Sequence, residues 1–112
     1  MPTTYKVLGQ ITPAGVTETD LYTVPAATST VASSIIICNR SLYTGTFRVS
    51  ISVGGGATAN KDYIYYDVII LSKDTFIATV GLTLAATDVV RVYSGGIGGD
   101  HFSFSLYGSE LT

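Results

Sequence analysis

The chain of 112 residues has one cysteine, one histidine and no tryptophan. A single cysteine cannot form an intrachain disulfide, which argues against a small secreted domain held together by disulfides. One cysteine and one histidine also cannot complete a four-ligand zinc site without carboxylates. Calcium needs clustered oxygens, and most acidic residues here stand singly at expected turns. We therefore expect no metal and no cofactor.

Charge is also scarce: charged residues make up 12% of the chain, about half the share usual in soluble domains. The net charge is −2 and the sequence has no basic run, so it lacks the electrostatic footprint of a nucleic-acid-binding protein. A surface with so few charges is adhesive. We infer that partners or copies of the same chain cover part of it.

Long apolar runs are missing as well. No segment approaches the ~20 residues needed to span a bilayer. The first residues, "MPTTYKVLGQ", lack the basic region followed by an apolar region that marks a signal peptide. We expect a soluble protein made in the cytosol, with no membrane partner.

The single cysteine, Cys38, raises the question of a reactive thiol. Catalysis would need a histidine, a helix N-terminus or a cationic pocket beside it, and His101 is the only histidine. The apolar residues 35–37 precede Cys38 in a strand-like run, where a free cysteine packs as a small hydrophobe. Period-two alternation puts Ser34, Ile36 and Cys38 on one face. We expect Cys38 in or just beneath the core, and no enzyme activity.

One acidic pair is spaced to share a strand face. Glu18 and Asp20 lie two residues apart in "ETD". Such a pair could perform acid–base chemistry or bind a cation. We expect instead a solvated edge, where charges discourage strand-on-strand aggregation.

The residues that are present favour strands, because Thr, Val, Ile, Tyr, Gly and Ser dominate and no helical apolar stripe is found. In "TFRVSISV" Phe47, Val49, Ile51 and Val53 alternate with polar residues. The segments "DVVRVYS" and "HFSFSLYG" show the same alternation, whereas "KDYIYYDVIIL" is apolar on both faces, as for a strand covered twice, by a second sheet or a neighbouring subunit. Turn signals separate these runs at short spacing.

The sequence predicts an all-β fold, a single antiparallel β-sandwich or jelly roll of about eight short strands, with a small barrel as the alternative. We expect one domain over residues 1–112, with residues 1–4 as a possible N-terminal arm.

Two glycine-rich segments resemble phosphate loops only in spacing. "GGGATAN" (54–60) and "GGIGG" (95–99) lack the Lys-Ser/Thr pair, and no helix follows "GGGATAN". Both are interpreted as mobile loops. The tyrosines of "DYIYYD" are more informative, because tyrosine suits packing between sheets, protein interfaces and stacking on glycans alike. We expect Tyr63 and Tyr65 to share one strand face.

Several segments in one order resemble a group of small virion-associated proteins of tailed bacteriophages. They are an "LYTVPA" turn, a strand ending in Cys38, Asn39 and Ser41, a "TFR" strand, "YIYYD", a "D.F" turn and "L.A.D.V.V", over roughly residues 8–107. The resemblance implies a non-enzymatic β-sandwich component of the virion, synthesised in the host cytoplasm. It carries over no catalytic residue.

The composition and the resemblance together predict a capsid decoration (cement) protein, acting as a homotrimer that binds the major capsid protein across capsomers. The alternative is a tail, baseplate or fibre-associated module that binds another tail protein or a host-surface glycan. Asn39 and Arg40 are expected to position the following loop. The candidate interface residues are Tyr63, Tyr65, Tyr66, Gly55, Ala57, Asn60, Tyr43, Arg40, Pro2 and Thr3.

Overall fold

Eight strands form where the sequence is rich in β-branched and aromatic residues. The structure, a computed structural model, describes residues 2–95 and 101–112. The strands are β1 (Thr3–Ile11), β2 (Thr19–Thr23), β3 (Ser29–Asn39), β4 (Gly45–Ser52), β5 (Tyr63–Ile70), β6 (Thr75–Leu84), β7 (Val89–Gly95) and β8 (Phe102–Leu111). Two short 3₁₀ turns, Val53–Gly55 and Asn60–Asp62, interrupt the connection between β4 and β5. The described residues contain no α-helix, so the all-β prediction is confirmed.

The strands form two antiparallel four-stranded sheets. The first sheet has the order β1-β8-β3-β6 and the second the order β2-β7-β4-β5. Apart from β4 and β5, which share the second sheet, consecutive strands lie in different sheets, so the chain winds around the sandwich as a jelly roll. The sandwich prediction is confirmed, and the small-barrel alternative is wrong.

The core lies between the sheets and is built from alternate residues of each strand. Phe102, Phe104 and Leu106 of β8 are fully buried, as the period-two alternation predicts. Phe47 of β4 packs with its ring centroid 5.1 Å from that of Phe76 and 6.4 Å from that of Phe104. These aromatic contacts join β4 of the second sheet to β6 and β8 of the first.

The β4 pattern is only partly as expected. Phe47 and Val49 are buried, but Val53 lies beyond the strand in a 3₁₀ turn and is 75% exposed. Ser50 and Ser52, expected outside, are buried. Arg91 joins Ser52 to the connection between β4 and β5, because one guanidinium nitrogen donates both to the Ser52 hydroxyl and to the Gly56 carbonyl.

Cys38 is not in the core. Ile35 and Ile37 point into the sandwich and are buried, whereas Cys38 on the opposite face is partly exposed. The expected shared face of Ser34, Ile36 and Cys38 exists, but it is the outer face of the first sheet. The alternation was predicted correctly, and its inward side was not.

The two sides of the sandwich, where the sheet edges meet, differ. On the β1–β2 side the backbones nearly touch, since a Cβ on Gly9 would lie 2.4 Å from the Leu21 carbonyl oxygen. A polar bridge closes this side further: the buried Tyr22 hydroxyl donates to Glu110 Oε2 at 2.5 Å and lies 2.8 Å from Thr30 Oγ1. The other side has β5 and β6 as its edges and is called the open side below.

The bridge shifts the titration of both its members. Burial, and then the hydrogen bond to Glu110, raise the pKa of Tyr22 to about 12. The bond from Tyr22 and a second one from Lys6 at 3.0 Å hold the pKa of Glu110 below its usual value. The neutral phenol and the charged carboxylate are therefore the forms that the fold stabilises.

Candidate assembly interface

Exposed apolar side chains concentrate on the open side of the sandwich. Of the twelve large apolar residues that are exposed in the described part of the chain, seven lie on β5, on β6 or in the loops at their shared end. They are Leu42, Tyr43, Ile64, Tyr66, Ile69, Leu71 and Ile77. A surface of this kind is typical of a protein–protein contact.

A bulge in β5 creates part of this surface. The pairing of β5 with β4 is irregular around Val49, and Asp67 has a φ of 51°. Tyr66 and Asp67 both face outward as a result, and beyond them the alternation is inverted, so that Ile70 is buried while Ile69 is 67% exposed. Uninterrupted alternation from Tyr65 would have placed Ile69 inward, which is why the sequence did not single it out.

A buried asparagine holds the loops at the end of the open side. Asn39 is fully buried and donates from its amide nitrogen to the carbonyls of Tyr43 at 2.8 Å and Leu71 at 3.2 Å. Its side-chain oxygen accepts from the backbone nitrogen and the hydroxyl of Ser41, and Ser72 donates to the Ser41 carbonyl. The expectation that Asn39 positions the following loop is confirmed. The hydrogen bonds of Asn39 hold the two loops that carry the exposed residues Leu42, Tyr43 and Leu71.

Arg40 lies beside this framework and is tied to β8. Its backbone nitrogen donates to the His101 carbonyl at 2.8 Å, and its Nε donates to the Ser103 hydroxyl at 2.9 Å. Lys73 donates to the Arg40 carbonyl. Arg40 is exposed and borders the open side, so it remains a candidate interface residue.

The outer face of the second sheet carries an aromatic–cation stack. The guanidinium carbon of Arg48 lies 4.3 Å from the Tyr66 ring centroid and 4.6 Å from that of Tyr93. Asp67, brought outward by the bulge, accepts two hydrogen bonds from Arg48, which raise the pKa of Arg48 and lower that of Asp67. The Tyr63 ring meets the Tyr66 ring edge-on at 4.9 Å. Tyr66 is 57% exposed and is therefore the tyrosine of this stack most open to a partner.

Tyr65 has a different role from its neighbours. Its ring packs against Phe47 and Phe76, with centroid distances of 6.0 and 5.3 Å. Tyr63 contacts Tyr66 instead. The expectation that Tyr63 and Tyr65 act from one shared face is wrong, because β5 pairs irregularly with β4 between them. Tyr65 packs at the border of the core on the open side. A substitution there would disturb the core, so it would not report specifically on an interface.

The glycine-rich loop expected to be mobile is tied down at several points. Asp88 accepts from the Gly54 nitrogen at 2.9 Å, and Arg91 donates to the Gly55 carbonyl at 3.2 Å and to that of Gly56. Asp62 accepts from the Ala59 nitrogen and from Lys61, which lower its pKa. The candidate residues Gly55, Ala57 and Asn60 lie on this loop, in the connection from β4 to β5. Of the second glycine-rich segment (95–99), Gly95 ends β7, and residues 96–99 lie outside the described residues.

The remaining candidate residues, Pro2 and Thr3, lie on the β1–β2 side of the sandwich. Thr3 pairs with Leu111 as the first residue of β1, and the Pro2 carbonyl accepts from the backbone nitrogen of Thr112. Of the proposed arm, Met1 lies outside the described residues.

Glu18 and Asp20 do not act as a pair, since Glu18 accepts from the Thr58 hydroxyl and Asp20 forms an ion pair with Arg91 at 2.9 Å.

The residues considered for catalysis and metal binding lie as follows. His101 meets Arg40 through its backbone, whereas Cys38 pairs with Thr75 and Ser103 across its neighbouring strands. Within residues 2–95 and 101–112, no three His, Cys, Asp or Glu side chains are grouped to hold a metal ion. In the same residues, no helix is long and apolar enough to cross a membrane.

Comparison by sequence and by structure gives different results. No family model matches the chain, and no curated protein matches it. Chains in three solved structures share its fold. In the structure of infectious bursal disease virus Gx strain the TM-score is 0.55 at 13% identity, covering 97% of this chain and 32% of that chain.

Two further structures of the same virus agree. A chain of its T13 viral particle gives a TM-score of 0.55 at 13% identity over 97% of this chain and 29% of that one. The Gt strain gives 0.52 at 10% identity over 97% and 30%. This chain therefore spans about a third of the length of the chains it matches. At this identity the likeness establishes the fold, and it comes from infectious bursal disease virus rather than from tailed bacteriophages.

Proposed function

We propose that this chain is a structural subunit of a virus particle and acts by assembly rather than catalysis. The observation that carries the proposal is the open side, where seven large apolar side chains are exposed on and around two sheet edges. Leaving such a surface in water costs roughly 25 cal/mol for each Å² that a partner would cover. The likeness to chains of a virus particle supports the same assignment.

The more specific proposal is a capsid decoration protein of a tailed bacteriophage. The chain would bind the assembled shell across capsomers as a homotrimer, with the major capsid protein as its partner, and would be located in the virion. Binding only the assembled lattice stabilises that lattice by mass action. A trimer matches the local threefold positions of a shell.

A tail, baseplate or fibre-associated role is the second candidate. The observation that favours it is the exposed Tyr66 above Arg48, because an aromatic ring with a charged neighbour also suits a glycan or a tail protein. Copy number separates the two roles. Quantitative mass spectrometry of purified particles should find hundreds of copies for a shell protein and at most a few dozen for a tail module.

A charge placed on the open side tests the interface. Ile69→Lys puts a lysine where a 67% exposed isoleucine stands, so the isolated protein should keep its fold. We expect particles to bind this variant at least tenfold more weakly, equivalent to about 1.4 kcal/mol, because a buried lysine would have no partner. The assay is occupancy of particles stripped of the chain and titrated with purified protein.

The matched control is Val53→Lys. Val53 is also strongly exposed and apolar, but it lies in the connection from β4 to β5, at the far end of β4 from the 40–44 loop. Its affinity for particles should stay within about twofold of the unmodified chain. Equal occupancy by both variants would remove the open side from the proposal.

A further inference from the structure

The open side includes an edge strand that lacks the usual protection against pairing. An edge strand presents a row of unpaired backbone N–H and C=O groups, and proteins protect such edges with charge, proline or short length. Three of the four edges follow this rule: β1 carries Lys6, β2 has five residues and carries Asp20, and β5 carries Asp67 at its bulge. The fourth edge, β6, has ten residues without a charge or a proline. Its one protective feature is the bulge at Gly81, which leaves residues 75–79 as a regular, uncharged edge.

We propose that β6 pairs antiparallel with β6 of a second copy of this chain about a twofold axis, joining the first sheets of the two copies into one. The regular part of the edge is residues 75–79, before the bulge opposite β3 that holds Val80 and Gly81, the latter with a φ of 61°. Pairing that is centred on Ile77 uses this part. It places Ile77, 68% exposed, against Ile77 of the second copy and Thr75 against Thr79.

The same register is self-complementary in charge. The charged residues nearest to β6 are Lys73 and Asp74, in the turn before it. Centred on Ile77, the pairing sets them opposite Gly81 and Val80, which are neutral, so neither meets a like charge. An identical partner strand therefore satisfies this edge without any repulsion.

The area suits a weak contact that forms at high concentration. In this register residues 75–79 of the two copies pair, and five residues at ~3.4 Å each extend over about 17 Å, while the smallest dimension of the molecule is 19 Å. The product is on the order of 300 Å² per copy, against ~800 Å² per partner in a standard interface, so the pairing belongs to the small, transient class. Ile77 at the centre, next to Ile36 on β3, supplies the apolar contact.

This contact deepens the proposed function by naming one partner of the open side. It is compatible with the trimer where it joins copies of neighbouring trimers, since a shell lattice has twofold as well as threefold positions. It is tested in solution without particles, so its failure leaves the occupancy result for Ile69→Lys unaffected.

Disulfide trapping tests the pairing and its register. In a Cys38→Ser background, Ile77→Cys places two thiols on directly opposed residues, with Cα atoms ~4.5–5.5 Å apart, within disulfide range. Thr79→Cys on the same strand and the same face is the control, because Thr79 faces Thr75 of the second copy. Both residues are exposed, so both variants should fold. Mild oxidation of concentrated protein should give about tenfold more linked dimer for Ile77→Cys than for Thr79→Cys.

Sedimentation velocity gives an independent measurement. Ile77→Lys should abolish concentration-dependent dimer formation, while Val7→Lys, on the edge that already carries Lys6, should preserve it. Equal trapping at the two cysteines, or no dimer for either, overturns the proposal. So does an unmodified chain that stays monomeric at every concentration or that pairs only with another virion protein.

Discussion

Tyr22→Phe removes one hydroxyl from the bridge that closes the β1–β2 side. The buried Tyr22 links β2 of the second sheet to Thr30 on β3 and Glu110 on β8, both in the first sheet. Phenylalanine fills the same space, so the change removes hydrogen bonds without opening a cavity. Glu110 keeps Lys6 as a partner, and Thr30 loses its bond to the phenol.

The expected loss in the free energy of unfolding is about 2–3 kcal/mol. A hydrogen bond to a charged group contributes ~1.5–3 kcal/mol, and the buried Thr30 hydroxyl left without Tyr22 adds to the cost. For a domain of this size the melting temperature should fall by about 10 °C. Tyr5→Phe is the matched control, because Tyr5 is 84% exposed and its change should stay within ~0.5 kcal/mol.

The pH dependence gives a sharper signature. Tyr22 has a raised pKa of about 12 in the fold against 10.0 ordinarily, so its contribution is complete below pH 10 and is lost as pH rises from there through 12. Glu110 has a lowered pKa, so its contribution is present above its usual value near 4.5 and is lost as pH falls through the folded pKa. Tyr22→Phe should remove the alkaline loss, and Glu110→Gln should weaken the acid one.

Urea unfolding followed by circular dichroism between pH 3 and 12 measures both effects. The reasoning is refuted if Tyr22→Phe is as stable as Tyr5→Phe at pH 7. It is refuted equally if the loss of stability above pH 10 persists unchanged in Tyr22→Phe.

Two further predictions concern the framework. Asn39→Ala should lower the free energy of unfolding in urea by about 2–4 kcal/mol, because the loop carbonyls lose their buried donor. Amide hydrogen exchange in residues 40–44 should become faster. Unchanged exchange there would contradict the role of Asn39. Gly9→Ala should cost about 1–3 kcal/mol by thermal unfolding, since its Cβ would overlap the Leu21 carbonyl. Gly56→Ala, whose nearest contact is 3.8 Å, is the control, and equal costs would contradict the close approach of β1 and β2.

The alternation of β7 and β8 was predictable because it is a local property. Side chains of a strand alternate with a period of two, so Val90, Val92, Phe102 and Phe104 face the core as their sequence indicates. The turn chemistry also separates eight strands correctly. The same rule failed in β5, where the bulge at Asp67 depends on pairing with β4, and no local signal announces it.

The candidate site divides in the same way. Residue type and position predicted Tyr43, Tyr66 and Arg40 as interface residues; the structure exposes all three, and their place in an interface stays a prediction. Ile69, Leu71 and Ile77 were not singled out, because an apolar residue in a strand is expected to face the core. Their exposure depends on β5 and β6 being sheet edges.

The sequence by itself determined the fold class and the shortage of surface charge, since strand propensity, turn residues and composition act locally and add along the chain. Only the tertiary structure decided which face of β3 is buried, and therefore that Cys38 lies outside. It also decided that Asn39 anchors two loops and that β6 is left as an uncharged edge. These features depend on contacts between residues that lie far apart in the sequence, and such contacts exist only after the two sheets have packed.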